Sequence, residues 1–249
     1  MTPLSFSAAY YDAFRRWGLL LAVLMGALFF KMTVIDAPEG AKPGTDFVYL
    51  WVAGDSANAG EGARVSQWPY FRDRVAAFTG EADDSYFGWH YPPLFLLAVS
   101  VLALLPYAWA WAMWVVATVA VYVYAIRHLF GHRLGYVLAL GFPPVLWNAY
   151  MGQNGCLTAA LIAGVVLCLD KRPWVAGLGL GLLLYKPQYG LVFPIILLAE
   201  GRWRVIAAAA VTGVVLIAAS IAVYGVESWQ GFMAGLPMAN AALFGQGGG

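Results

Sequence analysis

Apolar runs occur at about 17–35, 92–105, 107–126, 134–150, 156–169, 173–185, 188–199 and 204–224. A helix that spans a bilayer needs about 20 residues. The first, third and last runs reach that length. The others are short and broken by Pro and Gly, and such breaks survive at membrane depth only where the backbone is buried in protein or lines a wet cavity. No period-2 alternation of strands with helices interrupts the runs. The pattern predicts an all-α polytopic membrane protein, a single transmembrane domain over 1–249 with about 7–8 membrane helices and a polar interior feature. The first run follows Arg15 and Arg16, but no small-x-small cleavage pattern follows it closely. It therefore reads as a retained helix rather than a signal peptide.

Composition closes off the alternatives. Of 249 residues, 62% are hydrophobic and 11% charged, against about 25% charged in an average soluble domain. Mean hydropathy is +0.71. A soluble globular domain, a disordered chain and a coiled coil are excluded, and the surrounding partner is a lipid bilayer. A net charge of +1 gives no reason to expect a nucleic-acid partner. The 11 Trp, 14 Tyr and 14 Phe suit a chain with two membrane interfaces to mark. Cys156 and Cys168 share one apolar run and, on a helix, lie about 18 Å apart, so they read as core residues rather than a disulfide.

Charge gives an orientation. Arg15/Arg16, Arg127/Arg133, Lys171/Arg172 and Arg202/Arg204 lie in short connecting segments, which the positive-inside rule places in the cytoplasm. The segment of about 36–91 holds nine of the 13 acidic residues and is expected outside, with the polar breaks at 152–154 and 186–188. Parity then requires the runs 92–105 and 107–126, joined at Pro106, to make one net crossing. The expected location is the cell (inner) membrane, multi-pass, with the site on the non-cytoplasmic face.

A loop of this length exceeds ordinary connections, and long loops on rigid scaffolds carry function. Within it, the stretch from Asp46 to Ala53 predicts a short juxtamembrane helix, with Asp46 at the N-cap position after Pro43-Gly44-Thr45. The stretch from Trp68 to Phe78 predicts a helix lying flat on the membrane surface. The loop closes on Phe87-Gly88-Trp89-His90-Tyr91-Pro92-Pro93, with Pro92 in the first turn of the next run. A carboxylate at headgroup level suits transfer from a lipid-linked sugar. It can act as general base on an acceptor hydroxyl that attacks the anomeric carbon, while a cation or amides stabilise the departing phosphate.

The motifs Thr45-Asp46-Phe47-x-Tyr49, Tyr91-Pro92-Pro93-Leu94-Phe95, Gly152-Gln153-Asn154 and Lys186-Pro187-Gln188, in this order and between these runs, resemble glycosyltransferase family 87. These are polyprenyl-phosphate-mannose-dependent α-mannosyltransferases of the GT-C fold. The resemblance covers roughly residues 15–225. It implies a GT-C-like helix bundle whose long outer loop carries short juxtamembrane helices. It also implies inverting transfer of a hexose, usually mannose, from a polyprenyl-phosphate donor to a glycolipid or glycan acceptor outside the cytoplasm. The family's loop carboxylate falls on Asp46. Family members usually have about ten or more spans, so a chain with about eight runs that stops in glycines is expected to be cut short at its C-terminus.

Each candidate also has a plainer reading. Asp46 reads as catalytic base or as helix cap, roles that are compatible. Asp55, on the same predicted helix, reads as a solvated face. Lys186, following a long apolar run, reads as a donor-phosphate ligand or as a lysine reaching the interface. Gln153 and Asn154 read as donor or acceptor ligands or as a polar turn. His90 reads as a ligand or as an interfacial histidine, and Tyr91 and Tyr49 belong to the binding set through the family motifs. One outward cavity would gather Asp46, His90, Gln153 and Lys186. His128 and His132 are four apart but sit beside arginines at the expected cytoplasmic side. No metal site and no cofactor are expected, although a divalent ion at the acidic loop is compatible with the chemistry. The competing classes are a transporter, which the lack of an internal repeat disfavours, and a non-catalytic membrane subunit.

Overall fold

The computed structural model describes residues 8–36, 42–81 and 88–243. Among them the chain is all helical, with twelve α-helices and short 3-10 or π turns. α1 (Ala8–Phe30) continues through a π-helical stretch, Lys31–Ile35. Two juxtamembrane helices follow, α2 (Thr45–Asn58) and α3 (Trp68–Thr79). A 3-10 turn at Pro93–Phe95 leads into α4 (Leu96–Leu102), and Pro106 precedes α5 (Tyr107–Leu129). Then come α6 (His132–Gly141), α7 (Pro143–Met151), α8 (Gly155–Cys168), α9 (Pro173–Leu182), α10 (Tyr189–Ala199), α11 (Trp203–Tyr224) and α12 (Val226–Leu243). Three helical segments are long and apolar enough to cross a membrane: Arg16–Thr33, Tyr107–Leu129 and Trp203–Tyr224.

Contacts fix the direction of each helix. α5 and α8 run the same way, because the Trp114 indole donates to the Gly152 carbonyl near their starts (2.9 Å) while Ala125 clusters with Ala160 and Ala163 further along. α9 returns against α8, so that the Tyr185 hydroxyl meets Thr158 Oγ1 at 2.6 Å. At the opposite end Arg202 reaches Asp170 at 2.5 Å and Glu200 at 3.0 Å, tying the α8–α9 and α10–α11 connections together. Two ends result. One gathers the starts of α2, α5 and α8 with Tyr185 and Tyr224. The other gathers Arg127, Lys171, Arg172, Arg202 and Arg204.

The segment Pro93–Leu102 is ten residues, about 15 Å of helix, roughly half the hydrocarbon thickness. It leaves the first end near Tyr91 and returns to it at Tyr107, whose hydroxyl donates to the Pro43 carbonyl (2.5 Å). α4 packs on α2, and Ser100 within it meets the Tyr224 hydroxyl at 2.9 Å, so α4 stays near the first end and the pass between ends is made by α5.

Four details depart from the sequence reading. The run 134–150 is two helices, bent at Phe142 where Pro143 and Pro144 follow, because proline removes an amide donor and crowds the preceding turn. The helix α2 has Gly44, not Asp46, at its N-cap. Gly44 adopts φ +76, and a Cβ there would stand 2.5 Å from the Trp111 ring, so close packing selects glycine and moves Asp46 into the first turn. Asp55 is more than a solvated face: though partly exposed, its Oδ2 accepts from Arg74 at 2.6 Å and joins α2 to α3. Finally, α12 lies in a region without an apolar run. Its buried positions Ser228, Phe232 and Ala239 share one face with Gly235, which approaches the Ser66 carbonyl. The stripe is too small and polar to register as hydrophobic.

α9 and α11 pack closely through small residues. A Cβ on Gly177 would stand 2.4 Å from Ala208 Cβ and 2.5 Å from the Val205 carbonyl, and one on Gly181 would stand 2.4 Å from Thr212 Cβ. Small residues four apart let backbones approach where lipid offers no hydrophobic drive to association. Replacing Gly177 by Ala is expected to destabilise the fold by about 1–3 kcal/mol through overpacking. Thermal unfolding of the detergent-solubilised protein measures this, and an unchanged transition would show that the two helices can separate without loss.

Candidate functional site

The site is built around one turn. Between α7 and α8 the chain runs Gly152-Gln153-Asn154-Gly155. Gly152 adopts φ +69, and a Cβ there would stand 2.5 Å from Phe47 Cβ, so the turn presses on the first turn of α2. Asn148 knits it from within: Nδ2 donates to the Gln153 carbonyl (3.1 Å) and Oδ1 accepts from the Cys156 amide (3.2 Å). The Trp114 indole holds the Gly152 carbonyl from α5.

That packing projects two amides in different directions. Gln153, exposed, donates from Nε2 to Asp46 Oδ2 at 2.5 Å. Asn154 is 4% exposed and donates from Nδ2 to the Tyr91 hydroxyl at 2.6 Å. Asn154 occupies the N-cap position of α8 but makes no side-chain cap; its carbonyl accepts from the Thr158 amide and hydroxyl, both at 2.9 Å. The side-chain amide is thereby left for a partner on another segment.

From Tyr91 the contacts continue towards Lys186. The Tyr91 and Tyr185 rings lie 6.2 Å apart, and Tyr185 stacks on Phe95 at 4.6 Å. Lys186 follows directly, with Nζ 5.9 Å from the Tyr185 ring centroid, within reach of a cation–π attraction. Asp46, Gln153, Asn154, Tyr91 and Lys186 thus lie along one line of contacts at one end of the bundle. His90, half-buried, adjoins it through the chain. Tyr49 sits three residues after Asp46, on the same side of α2, and its ring packs 6.2 Å from Phe71 on α3.

Electrostatics follow burial. The Tyr91 phenol is pushed up by burial, opposed by the Asn154 amide and reinforced by the negative charge of Asp46, which places the carboxylate within electrostatic reach of that hydroxyl. Burial holds the Lys186 ammonium and the His90 imidazole below their ordinary values. Among the described residues no group of three or more His, Cys, Asp or Glu side chains could hold a metal ion. What the line offers is a carboxylate acceptor, two amides, a phenol and a cation in sequence, an arrangement able to bind a hydroxylated or phosphorylated group along its length.

Asn148, Trp114, Thr158 and Tyr185 were not singled out from the sequence. Asn148 carried a usable signal, as a lone amide in an apolar run, which is a position where polar residues are costly and functional. The other three are visible only through contacts distant in sequence.

Replacing Gly152 by Ala is expected to cost about 2–4 kcal/mol, combining a left-handed conformation with overpacking on Phe47. Gly164, in the middle of α8 with open space around its Cα, is the control, and its replacement by Ala is expected to leave stability unchanged or slightly raised. Thermal unfolding of the two variants in detergent separates the outcomes; equal transitions would mean that the turn tolerates a side chain.

Comparison with known proteins adds one finding. The family model of glycosyltransferase family 87 matches residues 89–248, more than half of the chain. The matched span includes His90, Tyr91, Gln153, Asn154 and Lys186 and begins after Asp46 and Tyr49. No curated protein and no solved structure matches the chain. A chain whose helices include three membrane-length apolar segments, and whose matched span holds all the polar line except Asp46, belongs to glycosyltransferase family 87 and is a membrane glycosyltransferase.

Proposed function

We propose that the chain transfers a hexose, mannose in the reading that the motifs favour, from a polyprenyl-phosphate donor to a glycolipid or glycan acceptor, with inversion and in a GT-C-type arrangement. The observation that carries this reading is the hydrogen bond between Gln153 and Asp46. It brings a carboxylate from the loop before the matched span onto a turn inside it. Asp46 accepts the proton of the acceptor hydroxyl as that oxygen attacks the anomeric carbon from the side opposite the phosphate. The bond from the anomeric carbon to the phosphate oxygen breaks, and the phosphate leaves with the electron pair. Lys186, a point charge in a half-buried position, meets that developing charge. Gln153 positions the carboxylate, and the phenol of Tyr91, fixed by Asn154, borders the sugar. His90 flanks the same edge. No cofactor enters the step, because a phosphate is already a competent leaving group. The reaction takes place on the non-cytoplasmic side of the cell membrane, a reading supported by the collection of Arg127, Lys171, Arg172, Arg202 and Arg204 at the opposite end of the bundle.

Replacing Asp46 by Asn is expected to lower transfer by about 10²–10⁴-fold while donor binding persists, because the amide keeps the size and loses the proton acceptor. Replacing Lys186 by Ala is expected to weaken donor binding as well as turnover. Purified protein with radiolabelled polyprenyl-phosphate mannose, and with the glucose and galactose analogues, measures both quantities. Near-normal turnover in a folded Asp46→Asn protein would move the catalytic carboxylate elsewhere, and turnover with none of the three donors would remove the donor assignment.

Sidedness has its own test. A cysteine at position 60, in a chain free of Cys156 and Cys168, is expected to react with a membrane-impermeant maleimide applied outside, and a cysteine at 171 is not. The reverse pattern would invert the orientation.

A further inference from the structure

A polar cavity lies on the loop side of α2, apart from the contacts around Asp46. It encloses about 400 Å³ and is lined by Arg64, Gln67, Pro69, Tyr70, Asp73 and Arg74, a volume within the range of small-molecule sites. Its position follows from α2. Arg74 is anchored to Asp55, nine residues beyond Asp46, which is about 13 Å along the helix and two and a half turns round it. The cavity is therefore on the other side of α2 from the Asp46–Gln153 contact and cannot hold the reacting hexose.

The lining chooses among ligands. Arg64 lies over the Tyr70 ring, 4.3 Å from its centroid, and both side chains line the cavity. Each arginine already has a carboxylate: Arg64 with Glu61 at 3.0 Å, Arg74 with Asp55 at 2.6 Å, and Asp73 itself is held by the neighbouring Arg72 at 3.0 Å. The six charges cancel, so an anion would find no net attraction there. The remaining capacity is directional hydrogen bonding in both senses. Gln67 is exposed with both amide functions available, Asp73 keeps acceptor sites, and Arg64 and Arg74 each keep guanidinium donors beyond their ion pairs. An aromatic ring beside a rim of donors and acceptors matches a pyranose ring, which presents an apolar C–H face and a rim of hydroxyls.

We propose that this cavity binds neutral oligosaccharide. Resting on the glycosyl-transfer reading above, the source of that sugar is the part of a glycan acceptor remote from the bond being made. A separate glycan of the cell envelope would offer the same chemistry, and kinetics distinguish the two.

The first measurement is direct binding of free mannotriose to the full-length Asp46→Asn protein in detergent, by saturation-transfer NMR. Binding is expected, insensitive to salt between roughly 50 and 500 mM because no net charge is involved. Tyr70→Ala and Gln67→Ala are each expected to weaken it, by about tenfold for Tyr70→Ala. Gln67 is exposed and its side chain makes no hydrogen bond or ion pair among the described residues, so its replacement keeps the test valid should the Tyr70 variant fail to fold. No mannotriose binding, binding that both variants leave intact, or competition by inorganic phosphate or by vesicles of anionic lipid would overturn the proposal. This measurement needs no donor, so it reads the cavity even if the transfer reaction is assigned wrongly. The second measurement compares kcat/KM for an acceptor carrying a trisaccharide with that for one carrying a single hexose. A drop of about tenfold in that ratio for Tyr70→Ala assigns the sugar to the acceptor, and an unchanged ratio with binding lost assigns it to a separate glycan and overturns the acceptor assignment.

Discussion

The constraint on which the site depends is the distance of approach between the α7–α8 turn and the first turn of α2. Gly152 can sit against Phe47 only because it has no Cβ and tolerates a positive φ. That approach lets the side chain of Gln153 reach Asp46. The same turn, held by Asn148 and Trp114, directs Asn154 the opposite way towards Tyr91. A displacement of the turn by the width of one methyl group would separate the carboxylate from the family motifs while leaving every long helix in place.

Around that turn, several polar groups at helix starts are spent on tertiary contacts rather than on local caps. Asn154 stands at a helix N-terminus, yet its amide goes to Tyr91. Asp46 stands in a first helical turn, where a carboxylate meets the positive end of the helix dipole favourably, yet it accepts from the side chain of Gln153. Tyr107 ties the start of α5 to the carbonyls before α2. In a chain with only 11% charged residues, side chains able to hydrogen-bond are scarce, and here they join segments far apart in sequence.

The helical class and the position of most helices were legible, because apolar length and Pro/Gly punctuation are local properties. α3 was read within one residue of its observed end, and the grouping of Lys171 with Arg202 matches the ion pair between their connecting segments. What escaped has a common cause. The N-cap at Gly44 was decided by Trp111 on another helix, the role of Asp55 by Arg74 on α3, and α12 by a stripe of Ser, Gly and Ala that packs by closeness rather than hydrophobicity. Among the candidate residues, Asp46 bonds to Gln153 and Tyr91 to Asn154, each pair drawn from two separate motifs. Tyr49, chosen from the same motif as Asp46, packs against Phe71 on α3.

The span of the Asp46–Gln153 bond has a consequence for biosynthesis. Its two residues are 107 positions apart, with α3, α4, α5, α6 and α7 between them. At a synthesis rate of about 5–20 residues per second, Asp46 leaves the ribosome roughly 5–20 s before its partner exists. During that interval the first juxtamembrane helix has neither the turn that braces it nor the amide that holds its carboxylate. The site is completed by the delivery of the α7–α8 hairpin into the bilayer, so it is an assembly product of insertion order, and a pause or an insertion error in α6 or α7 would leave the loop folded around nothing.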